Sequence, residues 1–189
     1  AITISREQYV FAARRIQAEG LADKIDLRLQ DYREVDGTFD SIVSIEMLEA
    51  VGKKYWPRFF EMLQHRLVPG GRAALQVITI DDAHFEAYRR GVDFIQRYIF
   101  PGGMLPACSE LRDQSRDTGL LWRTTGSYGS HYSRTLAEWR ETFERAWPDI
   151  TTLGFDERFR RMWRYYLTYC EAGFNAGRID VIQAGLQKI

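Results

Sequence analysis

The chain of 189 residues has the length of one domain and can bury a sizeable hydrophobic core. Lysine plus arginine and aspartate plus glutamate both number 26, so the charge gives no reason to expect a nucleic-acid partner. Cys108 and Cys170 form neither a disulfide framework nor a metal-ligand pattern, which favours a reducing cytoplasm and no metal site. No apolar run approaches the roughly 20 residues that a membrane-spanning helix needs. Aromatic residues reach 14%, which indicates either a ring-filled core or a pocket for a long apolar ligand.

The beginning of the chain predicts a strand, a helix and a second strand. Residues 1–4 are typical of the last part of a strand. Ser5 and Gln8 match the capping box of a helix that ends at Gly20. The apolar face of this helix consists of Tyr9, Ala12, Ala13 and Ile16. Residues 25–29 alternate between apolar and charged side chains, which predicts a strand.

Residues 39–45 carry an apolar run that we interpret as a buried central strand of a parallel sheet. The run ends at Glu46, Met47 and Glu49. In open α/β sheets, the carboxyl ends of the strands line the crevice that holds the ligand. Two acids that emerge from an apolar strand are costly to bury unless they are paired, so they indicate a functional site. The alternative, that both are solvated loop acids, has equal weight from this stretch alone.

The next segments continue the alternation of strands and helices. Residues 55–67 predict a helix. Its apolar face consists of Phe59, Met62, Leu63 and Leu67. Residues 68–71 end this helix, and residues 73–80 predict the next strand. The alternation predicts an α/β fold with a right-handed, doubly wound parallel sheet.

After residue 80 the pattern becomes mainly helical. We predict one helix over residues 82–98 and then a loop over residues 99–106 that is rich in proline and glycine. Two further helices, over residues 131–146 and 156–176, precede a last strand over residues 179–186. A helical insertion before the last strands is a suitable place for a substrate lid.

Four segments resemble cyclopropane-fatty-acyl-phospholipid synthases and the related mycolic acid cyclopropane synthases. They read SIEMLEAVG, YIFPGGMLP, HYSRTLAEW and ERFRRMWRYYLTYCEAGF. The resemblance extends from Thr3 to the end of the chain and implies a Rossmann-like class I methyltransferase fold, with residues 1–189 as part of a catalytic domain. It also implies an enzyme that uses S-adenosylmethionine to add a methylene bridge across a cis double bond of a phospholipid acyl chain.

The resemblance has implications for partners and for completeness. The substrate would be unsaturated phospholipid acyl chains, which a cytoplasmic enzyme would reach at the inner face of the membrane. A homodimer is also possible on this resemblance. Family members carry a glycine-rich E-x-G-x-G-x-G loop after the first strand, and nothing in this chain matches it. We therefore expect the first strand and its loop to be missing, together with an upstream cysteine of the family's bicarbonate pocket. We expect the chain alone to bind the cofactor poorly.

Nine positions match the family's cofactor-binding residues. They are Thr3, Ile4, Ser5, Gln8, Asp31, Tyr32, Arg33, Ile45 and Glu46. The resemblance implies that the first four contact the ribose and methionine portions, although Ser5 and Gln8 can cap a helix at the same time. The Asp-Tyr-Arg segment would face the adenine, because an aromatic ring can stack on a purine and a carboxylate can accept from its amine. The backbone at the last two positions, Ile45 and Glu46, would lie next to the sulfonium.

The implied chemistry requires a base. Methyl transfer to an alkene produces a carbocation, which must lose a proton in an apolar site before a ring closes. In the family a bound bicarbonate is this base, and the resemblance assigns its ligands to Glu49, Tyr132, the backbone amide of Ile78 and position 76. Typical members have histidine at position 76, whereas this chain has Gln76, which can donate an N–H but cannot titrate. A second family histidine is replaced by Ala50. These departures leave a branched-methyl or methyl-alkene product open.

Several other residues have two interpretations each. Cys170 matches a family cysteine sometimes proposed as an active-site group, but the spacing of its aromatic neighbours favours a small buried hydrophobe. His131 either enters the site beside Tyr132 or stays outside it, and His65 and His84 are interpreted as surface residues. Four residues either line an acyl tunnel or fill the core: Tyr98, Phe100, Leu105 and Trp163. Four others either contact lipid phosphates or form a solvated surface: Arg158, Arg160, Arg161 and Arg164.

Two alternative functions remain beside cyclopropane formation. The first is a related methyltransferase that acts on a lipid or a small amine without closing a ring. The second is a non-catalytic lipid-binding or regulatory paralogue, which the missing histidines allow. The presence of Glu49 and Tyr132 argues against the second alternative.

Overall fold

The computed structural model describes residues 1–123 and 126–189, and the chain forms two compact units, Ala1–Thr38 and Phe39–Ile189. In the first unit, strands β1 (Ile2–Thr3) and β2 (Arg28–Leu29) pair in parallel around helix α1 (Arg6–Ala18). A short 3₁₀ helix, Tyr32–Glu34, follows β2. The predicted strand–helix–strand order is therefore confirmed, although β2 is shorter than predicted.

The start of α1 shows how its sequence determines the local structure. The Ser5 hydroxyl accepts the Gln8 backbone N–H at 3.2 Å and caps the helix, as predicted. The Gln8 side chain accepts from the Thr3 hydroxyl at 2.7 Å, while the Ser5 N–H donates to that same hydroxyl. Only the Ser5 half of the predicted capping box is therefore present, because the Gln8 side chain binds Thr3 instead of the Ser5 backbone.

The second unit contains a four-stranded sheet in the order β3-β4-β6-β5. Its strands are β3 (Phe39–Ile45), β4 (Leu67–Ile80), β5 (Leu120–Ser127) and β6 (Ile179–Lys188). β3 and β4 are parallel, as predicted, whereas β6 runs antiparallel to both of its neighbours. The parallel arrangement thus holds for the first strands of the chain and not for the last pair.

The prediction of a buried central strand over residues 39–45 is wrong for this sheet. β3 lies at the edge among the described strands, and Val43 and Ile45 are 67% and 59% exposed. The run is apolar enough for a strand with a neighbour on each side, and the described strands of this chain provide a neighbour on one side.

The helices of the second unit lie in the connections between its strands. They are α2 (Leu48–Val51), α3 (Trp56–Arg66), α4 (Asp82–Tyr88), α5 (Phe94–Tyr98), α6 (Cys108–Asp117), α7 (Gly129–Arg145), α8 (Trp147–Thr152) and α9 (Glu157–Asn175). The buried face of α3 includes Phe59 and Leu63, as predicted, and two further rings, Trp56 and Phe60. None of the described helices is both long enough and apolar enough to span a bilayer.

Several predicted boundaries are wrong. Residues 68–71 belong to β4, where the pairing with β3 is irregular between the Phe39 and Ser41 positions. The single helix predicted over residues 82–98 is two helices, because Asp93 and Gln96 form a capping box that starts α5. Helix α6 and strand β5 were not predicted. The sequence of α6 is largely polar, so it lacks the apolar period that indicates a helix.

Helices α7 and α9 pack together and contact β6. Their shared core consists of Leu136, Leu167, Phe174 and Val181. Ile78, Tyr132 and Cys170 pack against this core from its edge. The sequence therefore brings the start of α7, the middle of α9 and the end of β4 to one place, which is where the candidate site lies.

Candidate active site

Four residues from four strands form one row across the sheet of the second unit. Ile45 of β3 lies opposite Gln76 of β4, Gln76 lies opposite Gln183 of β6, and Gln183 lies opposite Gly126 of β5. The row occurs where β3 ends, because the next residue, Glu46, turns away from the strand. Its N–H still donates to the Gln76 carbonyl at 2.8 Å, while its φ of 51° lies in the left-handed region.

A connected set of hydrogen bonds lies beside this row. The Gln76 side-chain amide donates to Glu46 Oε1 at 2.8 Å and to the Tyr132 hydroxyl at 3.2 Å. The Tyr132 hydroxyl in turn donates to the same Glu46 oxygen at 3.2 Å. Because an ionised carboxylate can only accept, the Gln76 amide must present its NH₂ to Glu46. Gln183 completes the set by donating to Gln76 Oε1 at 2.9 Å.

Tyr132 reaches this set because the first turn of α7 is anchored to β6. The carboxylate of Asp180 accepts the Gly129 N–H at 2.7 Å and the Ser127 hydroxyl at 2.6 Å. Tyr132 lies one turn further along, and its ring packs on Phe174 with ring centroids 5.5 Å apart. Neither Asp180 nor Gln183 could be predicted from the sequence, because their roles depend on how β6 pairs with its neighbours.

Glu49 occupies a drier position than Glu46. Its Oε1 accepts the Ile78 N–H at 2.6 Å, and its Oε2 is buried without a hydrogen-bond partner in the described part of the chain. Burial is the main cause that raises the pKa of Glu49 from 4.5 to about 7, and the charge of Glu46 raises it further. Near neutral pH, therefore, Glu49 is partly protonated and lies close to the carboxyl group of Glu46.

The row of strand residues forms the floor of an open cleft of about 480 Å³. Its lining residues are Ile45, Ala74, Leu75, Gln76, Gly126, Tyr128, Gln183, Ala184 and Gly185. The ring of Tyr128 lies against Gly126, so a Cβ added at this glycine would come within 2.8 Å of the ring. The floor thus consists of Ile45, Gly126 and two side-chain amides, with the aromatic ring of Tyr128 at one side.

Other predicted site residues lie apart from the hydrogen-bonded set. Burial raises the pKa of Cys170 to about 12, so its thiol is a poor nucleophile, in agreement with the interpretation as a small hydrophobe. The ring centroid of Tyr166 lies 5.0 Å from that of Trp163 and 6.2 Å from that of Phe100. Tyr98 and Phe100 are both 57% exposed, so the described residues around them do not form a closed acyl tunnel.

The remaining histidine and arginine candidates are mainly at the surface. His131 is exposed beside Tyr128, with ring centroids 6.3 Å apart, and His65 is exposed as predicted. His84 is half-buried and contacts Asp81 at 3.1 Å. Arg160 forms a salt bridge with Glu144, so its role in this structure is to join two helices. Three others are exposed: Arg158, Arg161 and Arg164.

The first unit brings the other predicted cofactor residues together at the carboxyl ends of β1 and β2. The Gln30 N–H donates to the Thr3 carbonyl at 3.0 Å, so Thr3 and Gln8 lie next to the segment that begins at Asp31. The Asp31 carboxylate accepts from the Arg33 backbone and guanidinium, at distances of 2.6 to 2.9 Å. Tyr32 is buried, whereas Ile4 is 77% exposed.

These residues suit a nucleoside ligand. Gln30 Oε1 is buried without a hydrogen-bond partner in the described part of the chain, which leaves an acceptor available beside Asp31. An acid and an amide at the carboxyl end of parallel strands are groups that bind a ribose and a purine. The donor set of the first unit is therefore compatible with S-adenosylmethionine.

A bicarbonate ion fits the second unit less well. Its predicted donors are the Gln76 amide, the Tyr132 hydroxyl and the Ile78 N–H. The first two both donate to Glu46, and the third donates to Glu49. All three predicted donors are therefore occupied by carboxylates of the chain, and an inorganic anion would have to displace Glu46 and Glu49 to reach them.

A sequence model described as mycolic acid cyclopropane synthetase matches residues 1–184. The chain belongs to this family. The tuberculostearic acid methyltransferase UfaA1 of Mycobacterium tuberculosis is 45% identical over 97% of this chain and 43% of its own length. The cyclopropane-fatty-acyl-phospholipid synthase of Escherichia coli is 37% identical over 96% of this chain and 45% of its own length. This member of the cyclopropane synthetase family thus spans less than half the length of these two relatives.

Solved structures of the cyclopropane synthetase family confirm the predicted fold. The structure of mycolic acid cyclopropane synthase CmaA1 with SAH and CTAB matches with a TM-score of 0.90 and 26% identity, over 99% of this chain and 68% of that one. The cyclopropane synthase MmaA2 of Mycobacterium tuberculosis matches with a TM-score of 0.86 and 27% identity, over 99% and 68%. The fold is therefore that of a Rossmann-like class I methyltransferase.

Proposed function

We propose that this protein transfers the methyl carbon of S-adenosylmethionine to a cis double bond of a phospholipid acyl chain and forms a cyclopropane ring. The observation that carries the proposal is the set formed by Glu46, Gln76 and Tyr132, with Glu49 next to it, in a chain of the cyclopropane synthetase family. The set lies at the carboxyl end of β3 and beside the second half of β4, and the carboxyl ends of strands are where α/β folds bind their substrates.

The reaction places two demands on the residues of the chain. S-adenosylmethionine supplies a methyl group activated by a positively charged sulfur. Loss of this methyl group to an alkene leaves a carbocation on the substrate, so the site must hold a proton acceptor and must limit access of water. Carboxylates at Glu46 and Glu49 provide candidate acceptors, and the ring of Tyr132, which packs on Phe174, provides an electron-rich aromatic surface near Glu46.

The cofactor would be held by residues of the first unit. We assign the ribose and methionine portions to Thr3, Ser5 and Gln8, and the adenine to Asp31 and Tyr32. The hydroxyl and amide groups at the start of α1 support this assignment, together with the unpartnered oxygen of Gln30. Bicarbonate is left out of the proposal, because its predicted donors are already bound to carboxylates of the chain.

A second candidate product is an acyl chain with a methyl or methylene branch. Two observations favour it: position 76 is Gln76 and not the histidine of typical members, and a relative with 45% identity is named as a tuberculostearic acid methyltransferase. The same methyl transfer would occur, and a hydride shift followed by loss of a proton from the transferred methyl group would give the methylene branch. A saturated methyl branch would also require hydride from an external reductant such as a nicotinamide cofactor. Both candidates place the substrate at the cytoplasmic face of the membrane.

Lipid analysis of cells that express the encoding gene tests the proposal. A host without its own cyclopropane synthase but with cis-unsaturated phospholipids would be analysed by mass spectrometry. A ring and a methylene branch each add the mass of one CH₂ group, and a saturated methyl branch adds two further hydrogens. Catalytic hydrogenation under mild conditions then separates the ring from the methylene branch, because only the alkene takes up hydrogen. Unchanged acyl chains, with the protein shown to be folded and expressed, would overturn the proposal.

A further inference from the structure

The carboxylate of Glu46 already has the surroundings that an anionic base in this site would need. Its Oε1 accepts from the Gln76 amide at 2.8 Å and from the Tyr132 hydroxyl at 3.2 Å. One donor comes from a strand and the other from a helix, and both hold the same oxygen. Charge-assisted hydrogen bonds of this kind orient a carboxylate and still leave its second oxygen available.

The backbone at Glu46 is also unusual. Among the described residues, Glu46 is the non-glycine residue with a positive φ, at 51°. This conformation costs a residue with a Cβ about 1 kcal/mol or more, and such strain is concentrated at functional sites. The strand ladder fixes it, because the Glu46 N–H donates to the Gln76 carbonyl at 2.8 Å. A glycine or an asparagine would adopt this conformation more readily, so the side chain of Glu46 requires an explanation.

We propose that the carboxylate of Glu46 is the general base of the reaction and takes the place of a bound bicarbonate ion. This inference rests on the proposed methyl transfer to an alkene. It assigns a catalytic role to the side chain of a residue that was predicted to act through its backbone near the sulfonium.

The proposed step balances without any further reactant. The carbon–sulfur bond of the cofactor breaks, and its electron pair stays on sulfur. The π pair of the alkene forms the new carbon–carbon bond, which leaves the carbocation. Glu46 then takes a proton from the transferred methyl group, and the released C–H pair forms the third bond of the ring or, after a hydride shift, a methylene double bond. The protonated carboxyl group later returns this proton to solvent.

Gln76 is a suitable partner for a carboxylate that belongs to the protein. A histidine in this position could itself take or release a proton. The amide of Gln76 does not titrate, so it donates its hydrogen bond at any working pH. Gln183 fixes the direction of the amide through its bond to Gln76 Oε1 at 2.9 Å. The replacement of the family histidine by Gln76 and the presence of Glu46 are therefore parts of one arrangement.

Three variants of position 46 test the inference. Glu46→Gly is compatible with the backbone, since glycine favours positive φ, and it removes the carboxylate. Glu46→Asn is the control for Glu46→Gly. Asparagine also tolerates positive φ and lacks the carboxylate, but its side chain still fills part of the space that glycine leaves open. Glu46→Gln keeps the size of the side chain and loses the base. In buffer freed of carbon dioxide, we expect the product of the whole encoding gene to be active and each of its position-46 variants to lose about a hundredfold or more.

Added bicarbonate should discriminate among them. We expect it to leave the wild-type protein and Glu46→Gln unchanged and to restore activity to Glu46→Gly by about tenfold or more, because only that variant opens the space between the donors. A readout that does not depend on activity is the ¹³C NMR signal of labelled bicarbonate, which should broaden with Glu46→Gly and not with the wild-type protein. Bicarbonate binding by the wild-type protein, or full activity of Glu46→Gly without bicarbonate, would overturn the inference. If no acyl product forms at all, the proposed function fails, and the NMR comparison still tests which group occupies the position.

Discussion

The buried carboxyl group of Glu49 should make the stability of the protein depend on pH. Burial raises its pKa from 4.5 to about 7, so the folded state holds this proton more tightly than the unfolded state does. Stability that depends on a raised carboxyl pKa is fully present below the unfolded pKa and is lost as pH rises towards the folded value. At about 1.4 kcal/mol per pH unit, the difference between the two pKa values corresponds to about 3 kcal/mol.

The perturbation that isolates this effect is Glu49→Gln. Glutamine keeps an oxygen that can accept the Ile78 N–H, and it cannot ionise. Denaturant unfolding at pH 5 and pH 8 would give the free energy of unfolding of both proteins. We expect the wild-type protein to lose about 2 to 3 kcal/mol relative to the variant between these two pH values. Glu138→Gln, at an exposed surface pair with Arg134, is the control and should show no such difference. Parallel pH curves for the wild-type protein and Glu49→Gln would refute the reasoning.

Three further predictions concern the surroundings of the site. Gly129→Ala should lower the free energy of unfolding by about 1 to 3 kcal/mol, since its Cβ would lie 2.8 Å from Asp180 Oδ1, whereas Gly91→Ala, whose nearest neighbour is 4.0 Å away, should be nearly neutral; equal effects in denaturant unfolding would contradict this. Gln183→Glu should reduce kcat more than Gln183→Met does. Glutamate has the shape of glutamine, but its carboxylate would attract the Gln76 N–H away from Glu46. A larger loss of kcat for Gln183→Met in steady-state kinetics would show that the role of Gln183 is purely steric. Cys170 should be alkylated far more slowly than a free thiol at pH 8, because its pKa is about 12, and rapid modification seen by peptide mass spectrometry would exclude this burial.

The sequence predicted which residues would belong to the candidate site better than it predicted the contacts between them. Glu46 and Glu49 follow an apolar strand, and the carboxyl end of such a strand is a site in many α/β folds, so their importance could be inferred. Tyr132 could be found only through the family resemblance. The contact between Tyr132 and Glu46 joins residues 86 positions apart and depends on the anchoring of α7 by Asp180.

The errors have physical reasons that are specific to particular residues. The positive φ of Glu46 cannot be predicted from a glutamate, because left-handed backbone is usually signalled by glycine or asparagine. The role of Gln183 follows from its position opposite Gln76, which depends on the register in which β6 pairs with β4. The edge position of β3 depends on which strands pair with it, and an apolar run does not contain that information.

The most direct measurement of the central claim is the fate of the methyl group. Cells that express the encoding gene would be grown with methionine deuterated in its methyl group, and their phospholipid acyl chains would be analysed by mass spectrometry. We predict that label enters the acyl chains with the loss of one deuteron, and that Glu46→Gln abolishes this labelling. Acyl chains without label, in cells that contain the folded protein and labelled S-adenosylmethionine, would contradict the account.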